Sequence, residues 1–288
     1  MAQIVYLNSR FIPLEEARIP VLDRGFIFGD GVYEVIPAYG RRPFHLAAHL
    51  DRLGRSLAAI RLANPYTDAQ WTALIGETIA RNEPEDQAVY LQVTRGVAPR
   101  DHTFPASAQP TVFLMANVLK AIPAEQLERG VAAVSLADNR WLRCDIKSTS
   151  LLGNVLLRQA AADAGAAECV LFRDGLLTEG SASNIFAVRS GVLLAPPKSN
   201  LILPGITYDV TLELAVKNGI PCEVREVREA EARGADELWL SSSTREVLAI
   251  TVLDGQPVRD GRVGPVFRRM HALFQSHKRT LGAAPAHA

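Results

Sequence analysis

The chain has 288 residues, and its 31 Lys and Arg balance its 31 Asp and Glu. Such a chain can bury a sizeable core, as one large or two medium domains, and has no global charge to recruit nucleic acid or an acidic membrane. Its three cysteines, Cys144, Cys169 and Cys222, are far apart and form no CxxC pair, which argues against a disulfide framework or a zinc knuckle and fits a reducing, cytoplasmic compartment. The opening MAQIVYLNSRF lacks the basic start and apolar stretch of a secretory leader, and no apolar run approaches a membrane span of roughly 20 residues.

In chain order, IVYLN and FIPL read as two short strands about a polar turn. Leu46, Leu50, Leu53, Leu57 and Ile60 recur in steps of four and three, which predicts an amphipathic helix from His45 to Leu62. A second helix is predicted from Thr67 to Asn82, with Trp71, Leu74, Ile75 and Ile79 facing inward. AVYLQVTRG alternates as a half-buried strand does, and TVFLMANVL is an apolar run suited to a central strand. Between them, VAPRDHTFPASAQP is a loop, being rich in proline and polar groups.

A connector and short helix, LKAIPAEQLERG, place a domain boundary near Ala121. Beyond it AECVLF-RDG-LLTEG and NIFAV-RSG-VLLAP each carry a hairpin signal, a glycine turn between apolar runs. Helices are expected over Leu152–Ala164, over Thr207–Lys217 with Gly219 closing it, and over Arg228–Ala235 before the strand ELWLSSS. A DGQ hairpin, a helix from Pro265 to about Arg279 and a frayed tail complete the chain. The expectation is α+β: a smaller N-terminal α/β domain over 1–120 and a larger strand-rich domain over 121–288, with the active site in the cleft between them.

There is no GxxxxGK[ST]; the glycines around Gly29 and Gly31 do not form GxGxxG; and GxSxG is missing, so nucleotide-binding and α/β-hydrolase motifs are unsupported. His45 and His49 are four apart, without the Glu of HExxH or a third ligand, and read as a surface and a rim histidine rather than a metal site.

The most informative stretch is RWLRCDIKSTSLLGN, centred on Lys147. A lysine that attacks a carbonyl needs surroundings that favour the neutral amine, and Ile146, Leu151 and Leu152 are close in sequence. On its own, a lysine between a strand and a helix is more often a solvated connector. WLRCDIKS followed by LLGN, however, resembles the lysine segment of fold-type IV pyridoxal-phosphate enzymes, and within them the D-amino acid aminotransferases. DRGFIFGDGVYE, HLDRL, VTRGVAPRDH, TEGSASNIF, ILPGIT and LWLSSST resemble the same family in the same order, from about Asp23 to Thr244. TEGSASN and FGDGVYE are widespread in the superfamily; PRDH and RCDIKS point to the D-amino acid branch. Asp101, between Arg100 and His102, departs from the pattern and bears on side-chain preference.

The resemblance implies that Lys147 carries pyridoxal 5'-phosphate as a Schiff base and, once freed, moves the substrate's α-proton. It implies that Glu179 is the partner of the ring nitrogen, although an exposed acid in a glycine turn is the plain alternative. Arg52 would bind the phosphate, against the ordinary reading of an arginine on a helix surface. Gly205, Ile206 and Thr207, opening a helix, would offer amides to the same phosphate, and Ser242, Ser243 and Thr244 would offer hydroxyls, where a plain polar turn is the alternative. Leu203 would pack on the ring. Tyr33, Arg100 and His102 would receive the substrate carboxylate, the last two reaching a partner's site, so a homodimer is implied. The implied reaction is transamination between a D-amino acid and a 2-oxo acid. A branched-chain L-aminotransferase, an (R)-amine transaminase and an aminodeoxychorismate-type lyase share the fold.

Overall fold

The computed structural model describes residues 2–107 and 109–283. The chain divides into two compact units, one of Met1–Lys120 with Ile146–Leu151 and one of Ala121–Asp145 with Leu152–Ala288.

Among the described residues of the first unit, six strands form one sheet: β1 Ile4–Leu7, β2 Arg10–Pro13, β3 Gly31–Tyr39, β4 Arg42–Pro43, β5 Gln87–Thr94 and β6 Thr111–Val118, in the order β2-β1-β6-β5-β3-β4. Neighbouring strands in it run antiparallel. One face of the sheet is covered by α2, Leu46–Ala59, and α3, Asp68–Ala80. Leu50, Leu53 and Leu57 of α2 and Trp71, Ile75 and Ile79 of α3 are buried against Val32, Ile36, Val89, Leu91 and Leu114, so both helical stripes fall where periodicity predicts. Thr67 and Gln70 close α3 with a capping box, which satisfies amides at the helix start. Helix α2 starts one residue after His45, whose φ of 50° is left-handed. A short helix, α1 Arg24–Phe28, precedes β3.

The segment Ile146–Leu151, expected with the C-terminal domain, packs in the first unit. Backbone pairing is the reason: Tyr33 N donates to the Lys147 carbonyl at 2.9 Å, Thr149 N donates to that of Gly31 at 3.0 Å, and Ser148 bridges Val32. Ile146 joins the same core, at 7% exposure.

The second unit holds a nine-stranded sheet among its described residues. Its strands are β7 Val131–Ala137, β8 Glu168–Arg173, β9 Leu176–Leu177, β10 Asn184–Arg189, β11 Val192–Ala195, β12 Cys222–Val224, β13 Glu237–Ser242, β14 Glu246–Leu253 and β15 Gln256–Pro257. The order is β12-β11-β10-β13-β14-β7-β8-β9, with β15 on β14. The β8–β9 hairpin turns at Asp174 and Gly175, with φ of 52° and 76°; two successive positive φ values suit the right-handed strand twist and favour Asp-Gly. The helices are α4 Ala124–Arg129, α5 Leu152–Asp163, α6 Ile206–Lys217, α7 Glu229–Arg233 and α8 Pro265–Ala283. Helix α8 continues past the expected Arg279, and the tail expected to fray lies, beyond 283, outside the described residues.

Glu237 ties β13 to α8. Its carboxylate accepts from Val266 N at 2.9 Å, Phe267 N at 2.8 Å and Trp239 Nε1 at 3.0 Å, taking up amides that a helix start leaves open. Glu237→Ala removes this acceptor from a buried setting and is expected to destabilise the protein by about 1–3 kcal/mol, lowering the thermal unfolding midpoint; an unchanged midpoint contradicts the capping role.

Candidate active site

In the first unit, Lys147 is half-buried and Tyr33 lies beneath its amine, Nζ being 4.2 Å from the ring centroid. Besides the Tyr33 amide on its carbonyl, Lys147 N donates to Ser56 Oγ on α2 at 3.3 Å. The backbone is thus held on both sides while the side chain extends over an aromatic face. Tyr33 stacks in turn on Tyr90, with centroids 5.7 Å apart.

Arg52, from the turn of α2 before Ser56, is 3% exposed. Its Nε and Nη2 meet the two carboxylate oxygens of Glu34, both at 2.7 Å, the fork geometry that makes Arg–carboxylate pairs strong. His49, expected at a rim, is instead buried at 1% exposure and bonds Glu34 Oε2 through Nδ1 at 2.8 Å. Burial alone would raise the Glu34 pKa, but the Arg52 charge and hydrogen bonds with Arg52 and His49 hold it well below the usual carboxylate range. Burial also holds His49 below its ordinary value, although Glu34 pulls it upward. A neutral imidazole donating from Nδ1 satisfies this geometry.

Arg100 and His102 are exposed on the loop between β5 and β6. Their side chains lie on the ring of Phe28, from α1, at 5.3 and 5.4 Å.

In the second unit, Glu179 is 4% exposed, so it is a buried carboxylate and not an exposed turn acid. Oε1 accepts from Arg140 Nη1 at 2.6 Å, and Oε2 accepts from Leu203 N at 3.0 Å and Asn184 Nδ2 at 3.2 Å. Arg140 is itself gripped by Asp138, at 2.9 Å from Nε and 2.8 Å from Nη2. Burial pushes Glu179 up to about 7, the Arg140 charge opposing it and Asp138 adding to it. Asp138, despite its own burial, is lowered to about 2 by Arg140.

Asn184 gathers the remaining residues. Its Nδ2 also donates to the Leu203 carbonyl at 2.9 Å. A Cβ on Gly205 would lie 2.0 Å from Asn184 Oδ1, so only glycine admits this approach. Gly205 is the N-cap of α6 and offers no side-chain cap, leaving the amide end that includes Ile206 and Thr207 suited to an anion. Across the sheet Asn184 pairs with Ser241, at whose end Ser242, Ser243 and Thr244 follow; Ser242 and Ser243 are half-buried and Thr244 is exposed. The flanking turn is held by Glu168, which accepts from Ser181 N at 3.0 Å, Ser181 Oγ and Ser183 Oγ at 2.9 Å.

The family model for amino-transferase class IV matches residues 31–253. The chain belongs to the class IV aminotransferase family. Within it, the chain is similar to the D-alanine aminotransferase of Bacillus licheniformis, at 39% identity over 94% of this chain and 96% of that protein. It is 41% identical to the D-alanine aminotransferase of Listeria monocytogenes, over 94% of each. The branched-chain amino acid aminotransferase of Escherichia coli shares the fold with a TM-score of 0.89 at 26% identity, covering 96% of this chain and 94% of that one. The T.th. branched-chain amino acid aminotransferase, solved with pyridoxamine 5'-phosphate, gives a TM-score of 0.90 at 26% identity, over 99% and 96%.

Class IV aminotransferases depend on pyridoxal 5'-phosphate, and the residues present fit it: a lysine amine over an aromatic face, a buried carboxylate, and a glycine-opened helix end without a side-chain cap. Sequence reasoning did not find Glu34, His49, Arg140, Asp138 or Glu168 as supports. Glu34 follows Tyr33 directly in GVYE and was within reach of that motif; Arg140 lies 39 residues before Glu179, with no spacing to reveal it.

The Glu34 pair has a pH signature. A depressed carboxylate pKa contributes stability in full above its unfolded value of about 4.3, and that contribution is lost as pH falls below it. Glu34→Gln, which leaves Arg52 buried without its counter-charge, is expected to destabilise by about 3–5 kcal/mol at neutral pH. Urea unfolding from pH 7 to pH 3 should show its gap from wild type narrowing toward acid; a constant gap contradicts the assignment.

Proposed function

We propose that this chain transfers the amino group of a D-amino acid to a 2-oxo acid, with Lys147 and Glu179 serving one molecule of pyridoxal 5'-phosphate. Bound, that cofactor supplies an electron-withdrawing ring that stabilises the carbon from which the α-proton leaves. Lys147 Nζ would hold the cofactor through its aldehyde carbon. With the cofactor bound, the same amine would accept the α-proton from the substrate carbon and deliver it in the 1,3-transfer that completes transamination, the flat face of Tyr33 directing it. Glu179 holds a proton on the ring nitrogen. A carboxyl raised to about 7 by burial gains by pairing with a positive ring, and Arg140 keeps a counter-charge beside it. Arg52, the amides of Ile206 and Thr207 at the Gly205 turn, and the hydroxyls of Ser242, Ser243 and Thr244 hold the phosphate. Leu203 packs on the ring.

The observation that carries the choice of D-amino acids is the pair Arg100 and His102, set together on Phe28, in a chain 38–41% identical to D-alanine aminotransferases. With Tyr33 they form the carboxylate trap. We read the protein as a cytoplasmic homodimer in which Arg100 and His102 serve the partner's site. Supporting this, Leu22, Phe26, Val97 and Phe104 are exposed apolar side chains around the loop, as at surfaces that another chain covers. Among the described residues, no helix is long and apolar enough to cross a membrane.

Likeness in fold to branched-chain enzymes favours one alternative, an L-amino acid donor. Initial rates for D- and L-donors with 2-oxoglutarate or pyruvate separate the two: D-alanine, D-glutamate or D-aspartate should turn over while L-leucine and L-isoleucine do not. The reverse ranking contradicts the proposal. Lys147→Ala should abolish turnover on every donor, and a normal rate in that variant refutes the role of Lys147.

A further inference from the structure

The segment Val97–Phe104, which carries Arg100 and His102, belongs to no strand or helix. A backbone bridge from Val97 to Asp23 and the bond from Ala98 N to the Leu22 carbonyl hold its start, and side chains around α1 hold the rest. Arg24, 3% exposed, sends Nη1 to the carbonyl oxygens of Asp101 at 2.6 Å and Thr103 at 3.3 Å, and Nε to Asp30 Oδ2 at 2.8 Å. Asp30 also accepts from Arg95, at 2.8 Å from Nε and 3.1 Å from Nη2. Arg95 is anchored to the Ile60 carbonyl at 2.7 Å, and its guanidinium lies 3.7 Å from the centre of the Phe104 ring. One carboxylate therefore couples two buried guanidiniums, each holding a different point of the segment.

Phe28 completes the arrangement. The Arg24 guanidinium lies 4.8 Å from its ring, on the same short helix, while Arg100 and His102 lie on the ring at 5.3 and 5.4 Å. Within the segment, Thr103 N donates to Asp101 Oδ1 at 3.1 Å. Asp101 thus forms the turn, and its carbonyl is the anchor for Arg24. The two side chains assigned to the carboxylate have no strand or helix of their own to fix them, so their spacing is inherited from this platform. Bidentate recognition of a carboxylate is sensitive to such spacing.

We propose that Arg24 and Asp30 are positioning residues for substrate recognition: they fix the 100–102 turn on Phe28 so that Arg100 and His102 present their donors as a set. The inference rests on the reading of Arg100 and His102 as the carboxylate pair.

The test uses holoenzyme of wild type, Arg24→Gln, Asp30→Asn and Arg100→Ala, with the cofactor absorbance and unfolding midpoint followed alongside. Arg24→Gln and Asp30→Asn should raise KM for both the D-amino acid and the 2-oxo acid by about ten- to a hundredfold, with kcat within about twofold. The single-turnover rate with an (R)-amine that lacks a carboxylate should stay at the wild-type value. If Arg100→Ala raises KM and the other two do not, the positioning role is wrong and the carboxylate reading stands. If Arg100→Ala itself leaves KM unchanged, the underlying reading fails and the inference with it. A parallel loss with the amine marks a general structural role and also overturns it. Should Arg24→Gln fail to fold, Phe28→Leu, which removes the ring and leaves the buried charges paired, must give the same split between amino acid and amine.

Discussion

The amine of Lys147 is where it is because its backbone is bonded to the sheet of the first unit, far from it in sequence. Tyr33 donates to its carbonyl and Thr149 donates to that of Gly31, so six residues from the middle of the chain are grafted onto the start of β3. Those bonds place the lysine over Tyr33 and within electrostatic reach of His49, in the Glu34–Arg52–His49 cluster. A flexible four-carbon side chain gains direction only when its Cα is fixed and one face is blocked, and here both conditions hold. Everything proposed for the chemistry depends on that graft.

Two buried glutamates show how the same residue type is set to different tasks. Glu34 has an Arg fork on both oxygens and a histidine besides, and its pKa falls well below the ordinary range. Glu179 has one guanidinium contact, shared with Asp138, and two neutral donors; burial dominates and it rises to about 7. The first is a fixed counter-charge that holds an arginine in place. The second is a buried carboxyl whose proton affinity burial raises toward neutrality, as the partner proposed for the ring nitrogen requires. The difference arises from how many charged donors reach each carboxylate.

Periodicity made α2 and α3 legible because each buries one stripe against one sheet face, and Asp-Gly marked the hairpin at Asp174. The longest strand of the first unit, β3, was not legible. Pro37 interrupts its pattern, tolerated because β4 flanks it over only Ala38 and Tyr39; Glu34 hides a polar residue on its buried face, tolerated because Arg52 and His49 satisfy it. The placing of Ile146–Leu151 was missed because contiguity in sequence suggested the unit on either side of it. The site motifs were readable as a resemblance, since the chemistry proposed for them restricts which residue types can serve. Their supports, such as Arg140 and Arg24, are distant in sequence from what they hold, and only the folded geometry brings them together.

The proposed chemistry stands on a covalent bond between a vitamin B6 aldehyde and one amine. Borohydride reduction of the holoenzyme, followed by peptide mass mapping, tests it without reference to turnover. A single phosphopyridoxyl mark on Lys147 and loss of the visible absorbance are expected. A mark on another lysine, or protein that remains colourless after the aldehyde is added, contradicts the proposal.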